Sequence, residues 1–190
     1  MDLSFYKMTS LEEWITKHYI THGILTPQDM EIERICASFG GEVSYTRMQS
    51  HAIWMDDGTN DFLVMLNRNL SESDRRTEFF HELCHPLRHG SNQLQSSCSM
   101  RNLQEGQASS FQLYASIPFF MVQKLSLPRY EQDLIELLAH EFNVTPELAS
   151  RRFDQIKRRI WQEQLHQLFI SYIHKQKRKQ PKHQAAASNQ

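Results

Sequence analysis

Apolar residues recur along the chain at two different spacings, and the changes between them mark out the fold. Leu11, Trp14, Ile15 and His18 fall three and four apart, with Ser10 placed to cap, which predicts a first helix. Thr26-Pro27 opens a second, since threonine caps and proline suits a first helical turn. Met30, Ile32 and Ile35 carry that helix to the Gly40-Gly41 break. The period then shortens. Glu42–Tyr45, Ala52–Met55 and Phe62–Leu66 are short segments rich in Val, Ile and aromatics. Asp56-Asp57-Gly58-Thr59-Asn60 suits a hairpin connection between the last two. Together they predict a small, largely antiparallel three-stranded sheet. Helical spacing returns after Ser71-Glu72-Ser73-Asp74, a capping-box pattern, in a helix expected to end near Pro86 or Gly90. Residues 90–100 are polar and loop-like. Further helices are expected from Leu103 to Ser116, stopped by Pro118, from Arg129 to Phe142, and from Pro146 to about His174. The class is α+β, with an all-helical C-terminal part.

Composition changes this picture mainly at the chain's end. A length of 190 residues, 39% hydrophobic and 23% charged, suits one compact domain with an appendage. The longest apolar runs, such as Ile117–Val122, are far too short to span a bilayer. The first ten residues lack a secretory pattern, so a cytoplasmic protein without membrane attachment is expected. Cys36, Cys84 and Cys98 show no paired spacing, which argues against a disulfide framework. The net charge of −1 hides an asymmetry: residues 1–150 hold 11 basic and 20 acidic side chains, residues 151–190 hold 10 and 2. The basic end reads as a solvated tail, with residues 176–190 disordered for want of apolar content. Nucleic-acid binding is expected to be absent or weak.

The segment His81-Glu82-Leu83-Cys84-His85 carries the chemistry. Two histidines four apart on a helix point the same way, so both imidazoles can reach one metal ion. With Phe79 set at zero and about 100° per residue, Phe79, Phe80, Leu83 and Leu87 occupy roughly 0–100°, and His81, Glu82 and His85 roughly 200–300°. One face packs and the other is open to zinc. Glu82, beside the ion, can take a proton from water and pass it to a leaving amine. An ordinary surface helix with two histidines is the plain alternative. For the third ligand, Glu105 opens the next helix on a stripe with Ala108, Phe111 and Ala115, where Ala108 permits close approach. His89 would reach the same ion only if Pro86 ended the helix and turned the chain back, because three histidines on successive turns span about 12 Å. Cys84 lies off the arc and reads as a core thiol; Cys98 is a weaker candidate ligand.

Three pieces in order resemble the ImmA/IrrE family of bacterial metallopeptidases. They are the strand Phe62–Asn67, the segment Arg76–His85, and Glu105-Gly106-Gln107-Ala108-Ser109-Ser110-Phe111 leading to Pro118. Ser109, Gln112 and Ile117 stand where the family usually has Asn, Ala and Met. The resemblance spans roughly residues 25–160. It implies zinc ligation by His81, His85 and Glu105, with Glu82 as catalytic base, and a zincin-like domain over residues 1–125. A helical region over 126–175 and the tail 176–190 would follow. It also implies site-specific cleavage of a helix-turn-helix repressor, derepressing a prophage or mobile element.

Leu134–Ala149, with its turn at Asn143–Thr145, has the pattern of a helix-turn-helix, and Arg151, Arg152, Arg158 and Arg159 follow it. The alternatives are a DNA-reading element and a helix pair packed on the metal domain, with packing favoured. A DNA-binding regulator or a non-catalytic antirepressor with a structural or vestigial zinc site is accordingly the second function. Trp161, Leu165, Leu168, Phe169 and Tyr172 form an apolar stripe expected to pack in the core, although an exposed stripe would receive a repressor or a second copy. Substrate is expected as an added strand along a sheet edge, assigned to Phe62–Asn67 with Val64 and Leu66 at its centre. The oxyanion-stabilising candidates are Tyr114, His89, Arg88 and His140.

Overall fold

A computed structural model describes residues 2–54, 61–88 and 98–179. In chain order they form α1 (Ser10–Thr21), α2 (Ile32–Ser38), β1 (Gly41–Thr46), β2 (His51–Trp54), β3 (Phe62–Asn67), α3 (Glu72–Arg88), α4 (Cys98–Ser116), α5 (Phe119–Val122), α6 (Glu131–Glu141) and α7 (Pro146–Lys179). The protein is α+β with a helical C-terminal part. The expected hairpin turn at 56–60, the loop before Cys98, His89 and residues 180–190 lie outside the described residues.

Local chemistry sets the element ends. The cap of α1 is Thr9, not Ser10: Thr9 Oγ1 accepts the Glu12 N–H at 3.2 Å, and the Glu12 carboxylate accepts the Thr9 N–H at 3.2 Å. The stretch from Thr26 begins as a single 3-10 turn, Pro27–Asp29, and becomes α-helical only at Ile32. Gly40 takes the left-handed φ of +84°, and any side chain at Gly41 would run into the Phe62 ring. Ser71 Oγ accepts the Asp74 N–H at 3.1 Å and starts α3. Pro86 lies inside α3, which continues to Arg88. The last helix runs to Lys179, so residues 176–179 of the expected disordered tail are helical.

The sheet corrects the expected topology. Strand order is β1-β3-β2; β1 pairs with β3 in parallel and β2 pairs with β3 antiparallel. The sheet is therefore mixed, and β3 is its centre. Phe62–Asn67 has neighbours on both sides, and the side chains of Val64 and Leu66 are fully buried. Neither residue offers a free strand edge to a substrate. Burial alternates along the strand: Phe62, Val64 and Leu66 are buried, and Leu63, Met65 and Asn67 are half-buried. Among the described residues β2 is the end strand on one side of β3, with Ile53 and Trp54 exposed.

Two compact units are present. One spans Met8–Asp154. Its core joins α1, the sheet, α3 and α4 to Leu134, Leu138, Phe142, Val144, Leu148 and Phe153, so it runs without a break across position 125. Leu148, Ala149 and Phe153 face inward, and Arg152 is wholly buried, with Nε donating to the Ile117 carbonyl at 3.0 Å and Nη2 to Glu12 at 2.7 Å. The segment that resembles a helix-turn-helix is thus a packed pair of helices, its turn made by Asn143 at φ 50°. The other unit joins the chain up to Lys7 with the stretch from Gln155 onward. There Lys7 Nζ lies 2.9 Å from Glu163, and Arg159 donates to the Lys7 carbonyl at 3.2 Å. The stripe Trp161, Leu165, Leu168, Phe169 and Tyr172 is exposed, not packed. Among the described residues no helix is long and apolar enough to cross a membrane.

Candidate metal centre

The two sides of α3 divide as the helical wheel requires. Phe79, Phe80, Leu83 and Cys84 are fully buried, and burial pushes the Cys84 thiol up to about 12, a packed and inert group. On the other side His81 and His85 stand one turn apart with ring centroids 5.2 Å from each other. Helix α4 crosses close by because Ala108, fully buried, presents no bulk to α3. Gln112, where the family resemblance has a smaller residue, reinforces the contact: it is buried, and its Nε2 donates to the Thr77 carbonyl at 2.9 Å.

That crossing brings Glu105 to the histidines. Its Oε2 lies 3.2 Å from His81 Nε2, and ligand atoms of His81, His85 and Glu105 all fall within 4.8 Å of one another. Zinc–ligand bonds of about 2.0–2.2 Å in tetrahedral array set neighbouring ligand atoms about 3.3 Å apart. One pair already has that spacing, and the set of two imidazoles and a carboxylate is a common zinc donor set. The residues fit the ion.

Glu82 is partly buried, and its carboxyl is raised to about 7. Burial is the first cause, the neighbouring carboxylates of Glu78 and Glu105 add to it, and the Ala52 backbone N–H opposes it. A cation among these groups would favour the ionised form. Glu78 is a neighbour that sequence reasoning passed over. It stands four residues before Glu82, which on the helical wheel is the same arc. Its carboxylate accepts from Ser50 Oγ, and Ser50 Oγ accepts the Asn67 N–H at 3.0 Å. This chain of bonds ties the start of β2 and the end of β3 to the motif helix. The edge strand β2 is thereby set beside Glu82.

The three oxyanion candidates among the described residues have other contacts. The Arg88 guanidinium sits over Trp14, 5.9 Å from the ring centroid, and that of Arg152 lies 5.0 Å from the Tyr114 ring. His140, largely exposed, is 3.5 Å from Glu141. Cys98 begins α4.

Comparison with known proteins agrees with this geometry. Residues 36–154 match the family profile described as IrrE N-terminal-like domain, peptidase family M78. The phage-like element PBSX protein XkdA of Bacillus subtilis (strain 168) is 31% identical over 152 residues, covering 80% of this chain and 75% of its own. YqaB of the same organism is 26% identical over 157 residues, covering 83% and 90%. A solved structure described as a Mycobacterium tuberculosis transcriptional regulator superposes with a TM-score of 0.50 at 19% identity, over 75% of this chain and 46% of that one, a likeness of fold alone. With the match spanning more than half its length, the chain belongs to the IrrE N-terminal-like family of metallopeptidases.

Proposed function

We propose that this protein is a zinc-dependent, site-specific endopeptidase that cleaves a helix-turn-helix transcriptional repressor and so derepresses a prophage or mobile element. The observation that carries it is the convergence of His81, His85 and Glu105 beside the partly buried carboxylate of Glu82. The name of the relative from a phage-like element supports the mobile-element setting.

Zinc, bound by those three residues, would polarise the scissile carbonyl and acidify water. Glu82 moves the proton: it accepts one from the attacking water and delivers it to the departing amine nitrogen. The substrate backbone pairs along the outer edge of β2, where Ala52 lies beside Glu82 and the exposed Ile53 and Trp54 offer apolar contact. This replaces the earlier assignment of the edge to Val64 and Leu66. Backbone pairing alone discriminates little, so selectivity for one repressor draws on further surface.

Co-expression with a helix-turn-helix repressor encoded beside this gene tests the proposal. Two discrete fragments are expected with the wild type and none with Glu82→Gln. Loss of repressor function without fragments would instead support a non-catalytic antirepressor, and efficient digestion of casein would refute narrow specificity.

A further inference from the structure

The second half of α7 carries an apolar face that nothing in the described structure covers. Trp161, Leu165, Leu168, Phe169 and Tyr172 are exposed by 64, 49, 66, 61 and 57%. At about 100° per residue, Trp161, Leu165, Leu168 and Tyr172 share an arc of about 60°, and Phe169 widens it to about 100°. A stripe of that width ordinarily faces a core. The steps from Trp161 to Leu165, Leu168 and Tyr172 are four, three and four, the spacing at which one helix seats against another.

We infer that this face pairs with the same face of a second copy of the chain, the two α7 helices running antiparallel. Area is the first argument. If a whole aromatic side chain offers about 150–250 Å², three aromatics and two leucines with these exposures present on the order of 600 Å². That is the upper limit for the largest apolar patch of a typical monomer, about 300–600 Å². Two such faces together bring on the order of 1,200 Å², above the roughly 1,000 Å² that a specific interface requires.

Self-complementarity is the second. A two-fold axis between Leu165 and Leu168 sets Trp161 of one copy against Tyr172 of the other, and Leu165 against Leu168. Large meets large at both ends and leucines meet in the middle. A parallel pair would instead set Trp161 on Trp161 and bring the basic sequence Lys175, Lys177, Arg178, Lys179 of both copies side by side.

Charge makes the inference distinctive. Between Trp161 and His174 the only formal charge at neutral pH is Glu163, which pairs with Lys7. Both flanks are basic: Lys157, Arg158 and Arg159 before it, Lys175 onward after it. In the antiparallel pair these flanks approach each other, so salt screens a repulsion and association strengthens as ionic strength rises. Binding to nucleic acid would weaken over the same range.

Sedimentation of the full chain with zinc, from low micromolar to about 200 μM protein and at about 0.05 and 0.5 M salt, is the test. A monomer–dimer equilibrium is expected, tighter at the higher salt. Leu168→Glu places a carboxylate twice at the centre and should raise the midpoint concentration at least tenfold. Ile170→Glu, on the opposite side of the helix, should leave it unchanged. Circular dichroism and zinc content of both variants should match the wild type, since the substituted side chains are exposed. In a Cys98→Ser background, Trp161→Cys mixed with Tyr172→Cys should cross-link more than either variant alone. A wild type that stays monomeric throughout overturns the inference, as does equal dissociation by Leu168→Glu and Ile170→Glu. A monomeric wild type whose repressor cleavage is lost on Leu168→Glu would make the stripe a substrate-docking face instead. Dimerisation is read without proteolysis, so it stands or falls separately from the proposed activity.

Discussion

Glu12 and Glu82 are both carboxylates that helices have withdrawn from water, and their surroundings are opposite. Glu12 is 3% exposed and meets donors: one oxygen accepts the Thr9 N–H at 3.2 Å, the other the Arg152 guanidinium at 2.7 Å. Glu82 meets carboxylates at Glu78 and Glu105 and is raised to about 7. The first arrangement closes its own charge and holds α1 to the beginning of α7. The second gathers negative charge beside two imidazoles and leaves it for something else to balance, as sites of reactivity do. Similar residue types thus serve the fold in one region and chemistry in the other, distinguished by what faces them.

If that contrast is right, the two glutamates respond in opposite ways to loss of charge. Glu12→Ala strands a buried guanidinium and should lower stability by about 3–5 kcal/mol, read as a drop in denaturation midpoint. Glu82→Gln should leave the stability of metal-free protein equal or raised, because a carboxylate repelled by its neighbours is removed. Equal destabilisation by both would erase the distinction. The same Glu82→Gln protein, with zinc, should bind metal normally and turn over roughly 10²–10⁴ more slowly.

Glu105 sharpens the comparison, because it is exposed and, as a proposed zinc ligand, would act by charge and ligation more than by packing. Glu105→Ala should weaken zinc by on the order of 100-fold or more, beyond the loss usual for an outer-shell partner. Competition with a chelator measures this. His89→Ala should leave affinity near the wild-type value. Stripping zinc should lower the wild-type melting temperature and affect Glu105→Ala much less, since a ligand stabilises only the state that binds it.

Much of the site could be read directly because its signals are local. The capped start of α3, its two faces and the spacing of His81, Glu82 and His85 all lie within one helix, and Glu105 with Ala108 marks the next. The position of β3 was not local. Both 1-2-3 and 1-3-2 orders satisfy the same alternation, and the choice depends on which distant strands pair, which no single segment records. That error made β3, with Val64 and Leu66, the expected edge strand. The stripe on α7 failed for a related reason: periodicity shows that a helix has an apolar face, not what meets it. The cap at Thr9 was misread by one residue, although Thr9-x-x-Glu12 is itself a capping-box pattern.

The smallest expected effect concerns a third titratable group, the half-buried His18 on α1, which packs among aromatic rings and a hydroxyl. Its ring lies flat on Phe39 with centroids 3.7 Å apart, His22 stacks at 4.1 Å, and Nε2 is 3.0 Å from Ser38 Oγ. Burial, and then the charge of His22, hold its pKa down to about 4. The unfolded chain takes up this proton near 6.5, so between about pH 4 and 6.5 it binds more protons than the folded one. The contribution is therefore complete above pH 6.5, and stability falls as pH drops through that window. His18→Phe keeps the aromatic stack and removes the proton. Its melting temperature minus that of the wild type should grow as pH is lowered from 6.5 and level off near pH 4, and taking this difference cancels acid effects common to both proteins. Water reaches part of the ring, so the slope should be shallower than one full proton would give. A difference that is flat with pH would mean that His18 is solvated in the folded state, and that of His18 and Glu82 only the carboxylate is held against its ordinary ionisation.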